Sequence, residues 1–135
     1  MVHWIFISSV NRFRMSDWLK VNECVDFVQR NNVQVGDIVY LYITAPIKRI
    51  EYKMIVEKIN IPYDEMIDDS EYSLITTNER QVGKTKMYLR LRLLKQVSTS
   101  NLHLDNLRMY GLESSMQAPF RINGELLDYI ESQFY

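Results

Sequence analysis

The alternation of apolar and polar residues divides the chain into strand-like and helix-like segments. Strands are expected where alternating runs are rich in aliphatic and aromatic residues, at Val2–Ser9, Asp37–Thr44, Ile50–Ile61 and Lys84–Val97, with a short strand near Tyr72–Thr76. Within Ile50–Ile61 the apolar residues change from even to odd positions between Val56 and Ile59. This change of phase predicts a β-bulge or a strong bend in the strand.

The helical segments are short and carry end signals. They are Met15–Lys20, with Ser16 as N-cap, Asn101–Tyr110, with Ser100 as N-cap and Gly111 past its end, and Asn123–Phe134. Strands and helices do not alternate regularly along the chain. This order predicts one α+β domain over residues 1–135, with a curled sheet that is antiparallel or mixed.

The strand at Asp37–Thr44 has two faces of different composition. The odd positions from 39 to 43 are aliphatic, as expected of a core face. The even face carries Tyr40, Tyr42 and Thr44, which offer flat apolar area with hydroxyl groups at the rim. A core face normally carries aliphatic residues and a solvent face charged ones. The even face therefore predicts a half-wet pocket for a planar ligand.

Short turn signals flank this strand. We expect it to pair with Ile50–Ile61 as an antiparallel neighbour, because only the Ala45–Arg49 turn separates the two. Gly36 and Asp37 are expected to be structural, with an unusual backbone angle at the glycine and backbone N–H groups donating to the carboxylate.

The last long strand alternates apolar and basic residues. Four apolar side chains are expected to face inward, namely Met87, Leu89, Leu91 and Leu93. The remaining face is expected to meet solvent or to hold phosphates, with Lys84, Lys86, Tyr88, Arg90 and Arg92.

Composition limits the function classes. The chain has 135 residues, 16 basic and 17 acidic side chains and a net charge of −1, which argues against bulk wrapping of a nucleic-acid backbone. Its one cysteine, Cys24, excludes an intrachain disulfide and a Cys-based zinc cluster, and fits the cytoplasm. No leader and no membrane-spanning run is expected. The oligomeric state stays open.

No catalytic constellation is visible in the sequence. Gly83-Lys84-Thr85 resembles the end of a phosphate-binding loop. That motif requires a glycine five residues before Gly83, and this chain has Asn78 there. His3 and His103 lack metal-ligand companions at helical spacing. We therefore expect no metal, no cofactor and no catalytic residue.

Three segments in order carry a family resemblance. They are Val25-Asp26-Phe27-x-Gln29, Val35-Gly36-Asp37-Ile38-Val39-Tyr40-Leu41-Tyr42 and Ala45-Pro46-x-x-x-Ile50-x-Tyr52-Lys53. The chain resembles the EVE domain, a member of the PUA-like superfamily that also contains YTH and ASCH domains. It departs from the family at Phe27, where members often have Trp, and at Ala118, where they often have Gly.

The resemblance implies a PUA-like pseudo-barrel flanked by helices, with a pocket between the sheet and the loop after the first strand. The partner it implies is DNA or RNA with a modified base, held in an aromatic-lined pocket. Aromatic walls are expected from Trp18, Phe27, Tyr40 and Tyr42. Polar contacts to the base edge are expected from Ser8, Ser9, Asn11, Gln29, Thr44 and Gln117. Phosphate contacts are expected from Arg12, Arg14 and Arg30.

Alternatives remain for the residues and for the function. Phe27 is also suited to the core, and Gln29 and Gln117 to capping loop backbone. An ASCH-type hydrolase would require a Lys–Glu pair in the cleft, although that family's Gly-x-Lys-x-x-Glu pattern is missing near the first strand. A structural or protein-interaction domain would have a filled barrel without a cleft.

Overall fold

One sheet organises the structure, a computed structural model that describes residues 1–30 and 32–135. In those residues its six strands are β1 (His3–Ser8), β2 (Cys24–Val28), β3 (Ile38–Ile43), β4 (Arg49–Pro62), β5 (Met87–Gln96) and β6 (Phe120–Ile122). The helices are α1 (Met15–Val21), α2 (Thr77–Gly83), α3 (Leu104–Met109) and α4 (Gly124–Ser132). Short 3₁₀ turns lie at Tyr63–Glu65, Ser70–Tyr72 and Ser100–Leu102. None of the described helices is long and apolar enough to cross a membrane.

The strand order is β2-β5-β4-β3-β1-β6. β1 and β3 are parallel, and the other neighbours are antiparallel. The sheet is mixed and curls into a half-barrel, which confirms the predicted α+β class. The expected pairing of β3 with β4 is also confirmed, with Val39 opposite Met54.

The bend predicted in β4 is confirmed. Its register with β5 shifts between Val56 and Lys58 and again between Lys58 and Ile61. Asn60, in the second shift, has a φ of 58°. Gln29 binds both the backbone and the side chain of this residue. Its Oε1 accepts from Asn60 N at 2.6 Å, and its Nε2 donates to Asn60 Oδ1 at 2.7 Å.

Hydrophobic clusters cover both faces of the sheet. One contains the odd-numbered aliphatic residues of β3, as expected. The other contains Tyr40 and Tyr42, which pack with Leu107 of α3 and Ile130 of α4. The ring centroids of Tyr40 and Phe134 lie 5.6 Å apart. The prediction that the tyrosine face looks into a half-wet pocket is wrong, because α3 and α4 cover it.

Two helix starts differ from the predicted ones. α1 begins at Met15 with Arg14 in the N-cap position, so Ser16 lies inside the helix and does not cap it. α3 is capped by His103, whose Nδ1 accepts from Asp105 N at 3.1 Å. The residues expected to open this helix, from Ser100 onwards, form a separate 3₁₀ turn.

The region expected to hold a short strand at Tyr72–Thr76 instead leads into α2. Thr76 and Glu79 form a capping box, in which the Thr76 side chain accepts from Glu79 N and the Glu79 side chain accepts from Thr76 N. This Thr-x-x-Glu spacing is a local helix-start signal that outweighs the weak alternation before it. Strands β2 and β6 are short, and the sequence pattern did not predict them.

On β5 the predicted inward and outward residues are exchanged near its start. Met87 is 43% exposed, whereas Tyr88 is buried. The Tyr88 hydroxyl donates to Gly83 O at 2.8 Å, so the end of α2 gives the hydroxyl of this ring a partner.

Asp37 joins the start of β3 to the start of β1. Its carboxylate accepts from Val2 N at 3.0 Å, Gln34 N at 2.9 Å and Trp4 Nε1 at 3.0 Å. Burial alone would raise the pKa of Asp37, but these hydrogen bonds outweigh it and lower the pKa. Gly36 supplies a φ of 91°, as the expected turn requires.

We therefore predict that Asp37→Ala lowers the free energy of unfolding by roughly 2–4 kcal/mol at neutral pH, because three donors, among them the buried indole N–H of Trp4, lose their acceptor. Since the pKa is lowered in the folded state, the difference should shrink as pH falls through 3.8, the ordinary value, and below it. Chemical denaturation at several pH values measures this. Asp64→Ala, at an exposed carboxylate, is the control. Equal stability of the two variants would contradict the structural role.

Candidate functional site

A cleft with a volume of about 830 Å³ opens beside β1 and β2. Its lining also includes residues of the segment 63–75, residues of α2, and Gln117 and Pro119 before β6. Small-molecule and cofactor sites commonly have volumes of about 300–1,000 Å³. The cleft is therefore large enough for one nucleoside-sized ligand.

The cleft brings together six of the residues proposed from the sequence. They come from the end of β1 and the loop after it, from β2 and its C-terminal side, and from the approach to β6, namely Ser8, Ser9, Arg12, Phe27, Arg30 and Gln117. This is the place that the family resemblance implied, between the sheet and the loop after the first strand. Their roles in binding remain predictions.

Seven other proposed residues lie outside the cleft. They are Asn11, Arg14, Trp18, Gln29, Tyr40, Tyr42 and Thr44. Tyr40 and Tyr42 belong to the core on the opposite side of the sheet. Gln29 holds the bend of β4 through Asn60. The proposed positions of these three residues in the pocket are therefore wrong.

Trp18 and Thr44 hold segments next to the cleft in place. Trp18 is buried, with its indole Nε1 donating to Cys24 O at 2.8 Å and its ring edge-on to Tyr72 at 5.1 Å. Thr44 Oγ1 accepts from Val10 N at 3.0 Å and so fixes the loop after β1. Neither residue is among those that line the cleft, and their proposed roles in binding remain predictions.

Arg14 and Asn11 lie at the surface near the cleft. Arg14 pairs with Asp17 at 3.1 Å and lies over the ring of Tyr72 at 5.3 Å, so it is already engaged. Asn11 is exposed, and its backbone N–H donates to Ser9 Oγ at 3.3 Å. Neither side chain lines the cleft, and the proposed base contact of Asn11 and phosphate contact of Arg14 remain predictions.

Two tyrosines that the sequence pattern did not assign to the pocket line it together with Phe27. The rings of Tyr63 and Tyr88 have centroids 6.3 Å apart. Phe27 lies edge-on to the core residue Phe6 at 5.5 Å. The sequence did contain a signal for Tyr88. It is the one aromatic residue on a strand face that otherwise carries basic residues and is expected to meet solvent.

The segment 63–75 is tied to the sheet by a buried carboxylate. Asp26 accepts from Arg90 Nε at 2.8 Å, from Arg90 Nη2 at 3.0 Å and from Ile67 N at 2.8 Å. Arg90 Nη2 also contacts Glu65 O at 3.4 Å. The hydrogen bonds to Asp26 raise the pKa of Arg90, so its charge is committed here rather than to a phosphate.

An ion pair crosses between the loop after β1 and α2. It joins Arg12 Nη1 to Glu79 Oε2. The hydrogen bond from Thr76 N lowers the pKa of Glu79, and the Arg12 charge lowers it further. Arg12 therefore lines the cleft with its charge already paired. Arg30, by contrast, lines the cleft as an exposed side chain.

Asp69 differs from the other acidic side chains that line the cleft. Burial raises the pKa of Asp69 to about 6, and the charges of Asp26 and Asp68 add to the rise, whereas Arg80 and its own amide oppose it. Within residues 1–30 and 32–135 no other residue donates a hydrogen bond to its carboxyl or forms an ion pair with it. Asp26 and Glu79 have arginine partners, and Asp68 accepts from Ser70.

The raised pKa of Asp69 predicts a gain in stability on neutralisation. Asp69→Asn should increase the free energy of unfolding at pH 7 by on the order of 1–2 kcal/mol, after allowance for partial exposure. The folded-state pKa lies above the ordinary 3.8, so the gain is complete above about pH 6 and disappears as pH falls below 3.8. Denaturation curves from pH 3.5 to 8 measure it. A parent protein as stable as the variant at pH 7 would contradict it.

The described residues contain no group of three or more His, Cys, Asp or Glu side chains placed to hold a metal ion. What the cleft offers is aromatic surface, hydroxyl groups, an amide and a half-buried carboxyl.

Comparison with known proteins identifies the fold. No family model and no curated protein matches the chain. Among solved structures, ASCH from Zymomonas mobilis is 10% identical with a TM-score of 0.67, covering 98% of this chain and 96% of that one. A hypothetical protein from Leishmania major is 15% identical with a TM-score of 0.67, covering 98% and 93%. Human THYN1, in complex with DNA containing 5-methylcytosine, is 10% identical with a TM-score of 0.66, covering 98% and 96%.

The chain has the PUA-like fold of ASCH and EVE domains. The likeness extends over nearly the full length of both chains in each comparison. At identities of 10–15% it establishes the architecture only.

Proposed function

We propose that the protein is a non-catalytic module that binds nucleic acid and takes one modified base into the cleft. The observation that carries the proposal is the cleft itself, with Phe27 beside the hydroxyl groups of Ser8 and Ser9. The structure of human THYN1 with 5-methylcytosine DNA supports a nucleic-acid ligand for a chain of this fold.

The lining suits an unstacked base. A base stacked on an aromatic side chain gains about 1–3 kcal/mol, and Phe27, Tyr63 and Tyr88 in the lining offer aromatic rings. Base edges present both donors and acceptors, which the hydroxyl groups of Ser8 and Ser9 and the amide of Gln117 match in either direction. A cleft of about 830 Å³ admits a base with its sugar.

The charges predict few phosphate contacts. Arg30 and Lys86 line the cleft, and no ion pair among residues 1–30 and 32–135 competes for them, whereas Arg12 is paired with Glu79. With about two phosphates neutralised, log K should fall with log salt with a slope of roughly −1.4 for a single strand. Base recognition rather than backbone attraction then supplies most of the affinity.

The alternatives find less support. A filled barrel without a cleft does not describe this structure. An ASCH-type hydrolase was expected to have a Lys–Glu pair in the cleft. Lys86 and Glu79 both line it, but no such pair forms among the described residues, because Glu79 binds Arg12.

Phe27→Leu tests the stacking surface, because it keeps apolar packing against Phe6 and removes the flat ring. Affinity for a single-stranded oligonucleotide with one modified base should fall by about 1–3 kcal/mol. Fluorescence anisotropy with oligonucleotides that carry 5-methylcytosine, N6-methyladenine, an unmodified base or an abasic site measures the loss.

The matched control is Tyr42→Phe, on the far side of the sheet, which should bind like the parent protein. The proposal fails if parent and Phe27→Leu proteins bind equally, or if the abasic oligonucleotide binds as tightly as the others. Tighter binding of modified bases than of the unmodified base is expected.

Glu79→Gln tests Arg12 as a phosphate contact. Glutamine keeps the capping interaction with Thr76 but releases Arg12, so affinity for the oligonucleotide should rise slightly and become more sensitive to salt. Titrations at two salt concentrations measure both effects. Glu125→Gln, in the exposed first turn of α4, changes the net charge equally. The same response from both variants would exclude a specific role for Arg12.

A further inference from the structure

The loop after β1 separates the cleft from a second, smaller cavity. Ser9 and Arg12 of this loop line only the cleft, whereas Val10 and Arg14 line only the smaller cavity. Three residues line both cavities, namely Ser8, Phe13 and Met15. The two cavities are therefore neighbours across a shared wall.

The smaller cavity suits a flat fragment of a larger ligand. Its volume is about 180 Å³. Ligand pockets commonly have volumes of about 300–1,000 Å³, so a ligand that uses this cavity has its remainder bound elsewhere. The walls are largely apolar, with Val10, Phe13 and Met15 on one side and Ile43 and Ile47, from the end of β3 and the turn after it, on the other. A nucleobase without its sugar is a fragment of this kind.

Ser8 supplies the uncommitted polar group of the shared wall. The residue is only 4% exposed, and its hydroxyl group forms no hydrogen bond with any residue that the structure describes. The other polar side chains of the smaller cavity have partners. Arg14 pairs with Asp17 at 3.1 Å. Ser16 Oγ accepts from the Tyr52 hydroxyl at 3.3 Å. A nearly buried hydroxyl group without a partner costs free energy, which a ligand with polar edges offsets.

We infer that the smaller cavity holds the base next to the one in the cleft, so that the protein binds two adjacent nucleotides of a single strand. This inference rests on the proposed function and deepens it, because the ligand becomes a dinucleotide. The sugar–phosphate backbone crosses the loop after β1, and the two bases enter the cavities on either side of it. A base that enters the cleft unstacks from its neighbour. The apolar walls of the smaller cavity then cover the face that the neighbour has exposed.

The lining predicts that the neighbouring base adds affinity and little sequence preference. Apolar walls accept the face of any base. The Ser8 hydroxyl donates or accepts a hydrogen bond, so it matches either kind of group on a base edge. Selection among bases therefore belongs to the cleft, and the smaller cavity requires only that a base is present.

The experiment removes one base at a time from the ligand. Single-stranded oligonucleotides carry one 5-methylcytosine and are compared with versions in which an abasic site replaces it, precedes it, follows it or lies several positions away. Fluorescence anisotropy measures each affinity. With the parent protein, an abasic site on one side of the 5-methylcytosine should lower affinity about tenfold, as expected for the loss of one bound base. The distant abasic site should have no effect.

Ile47→Trp tests whether the smaller cavity holds this neighbouring base, because Ile47 lines that cavity and not the cleft. The indole fills the cavity, so the intact oligonucleotide should bind about tenfold more weakly. Removal of the neighbouring base should then cause no further loss, because both changes remove the same contact. Removal of the 5-methylcytosine base itself should still weaken binding. Val10→Phe fills the same cavity from the loop and should give the same pattern.

Val35→Trp is the matched control, at a 59% exposed position outside both cavities, and should bind like the parent protein. Unchanged affinity of the parent protein when either neighbouring base is removed overturns the second subsite and leaves the proposed function intact. The same conclusion follows if both filling variants still lose affinity on removal of the neighbouring base. Binding that does not change when the 5-methylcytosine base is removed overturns both. Circular dichroism of each variant confirms that a loss of binding does not come from unfolding.

Discussion

Burial of both faces of β3 is the constraint on which the rest of the structure depends. All six of its residues are buried, with one cluster on its aliphatic face and a second, under α3 and α4, on its tyrosine face. A ligand cannot approach the middle of the sheet from either side. The open space therefore lies towards β2 and the end of β1, where the segment 63–83 leaves the sheet and returns to it.

That segment contains little regular structure, and a few polar contacts hold it in place. Asp26 and Arg90 form a bidentate pair on adjacent strands, and the same carboxylate accepts from Ile67 N. Because the Asp26 side chain is fully withdrawn from solvent, loss of Arg90 would leave an unpaired buried charge, which is costly. The positions of Tyr63 and Asp69, which belong to this segment, thus depend on the ion pair between Asp26 and Arg90.

The cleft also illustrates how acidic and basic side chains near one another take different roles. Arg12, Arg90 and Glu79 form ion pairs within the protein. They therefore contribute more to the shape of the cleft than to its net charge. Asp69 has no such partner in the part of the chain that the structure describes, and burial raises its pKa to about 6. Since the net charge of the chain is only −1, the ligand recognition that we propose rests on this local chemistry and not on a basic surface.

The sequence by itself determined the long strands, their pairing across the short turn after β3, the bend in β4 and the structural role of Asp37, because these features follow from local alternation and turn chemistry. The family resemblance also placed the loop after β1 and Phe27 beside a pocket, and residues of both line the cleft of the structure. Only the tertiary structure decided which aromatic residues face the cleft. Tyr42 and Tyr88 both occupy positions of strand periodicity, and nothing local distinguishes a ring that a helix will cover from one that lines an open cleft. That choice depends on where α2, α3 and α4 pack, which contacts between residues far apart in the chain determine.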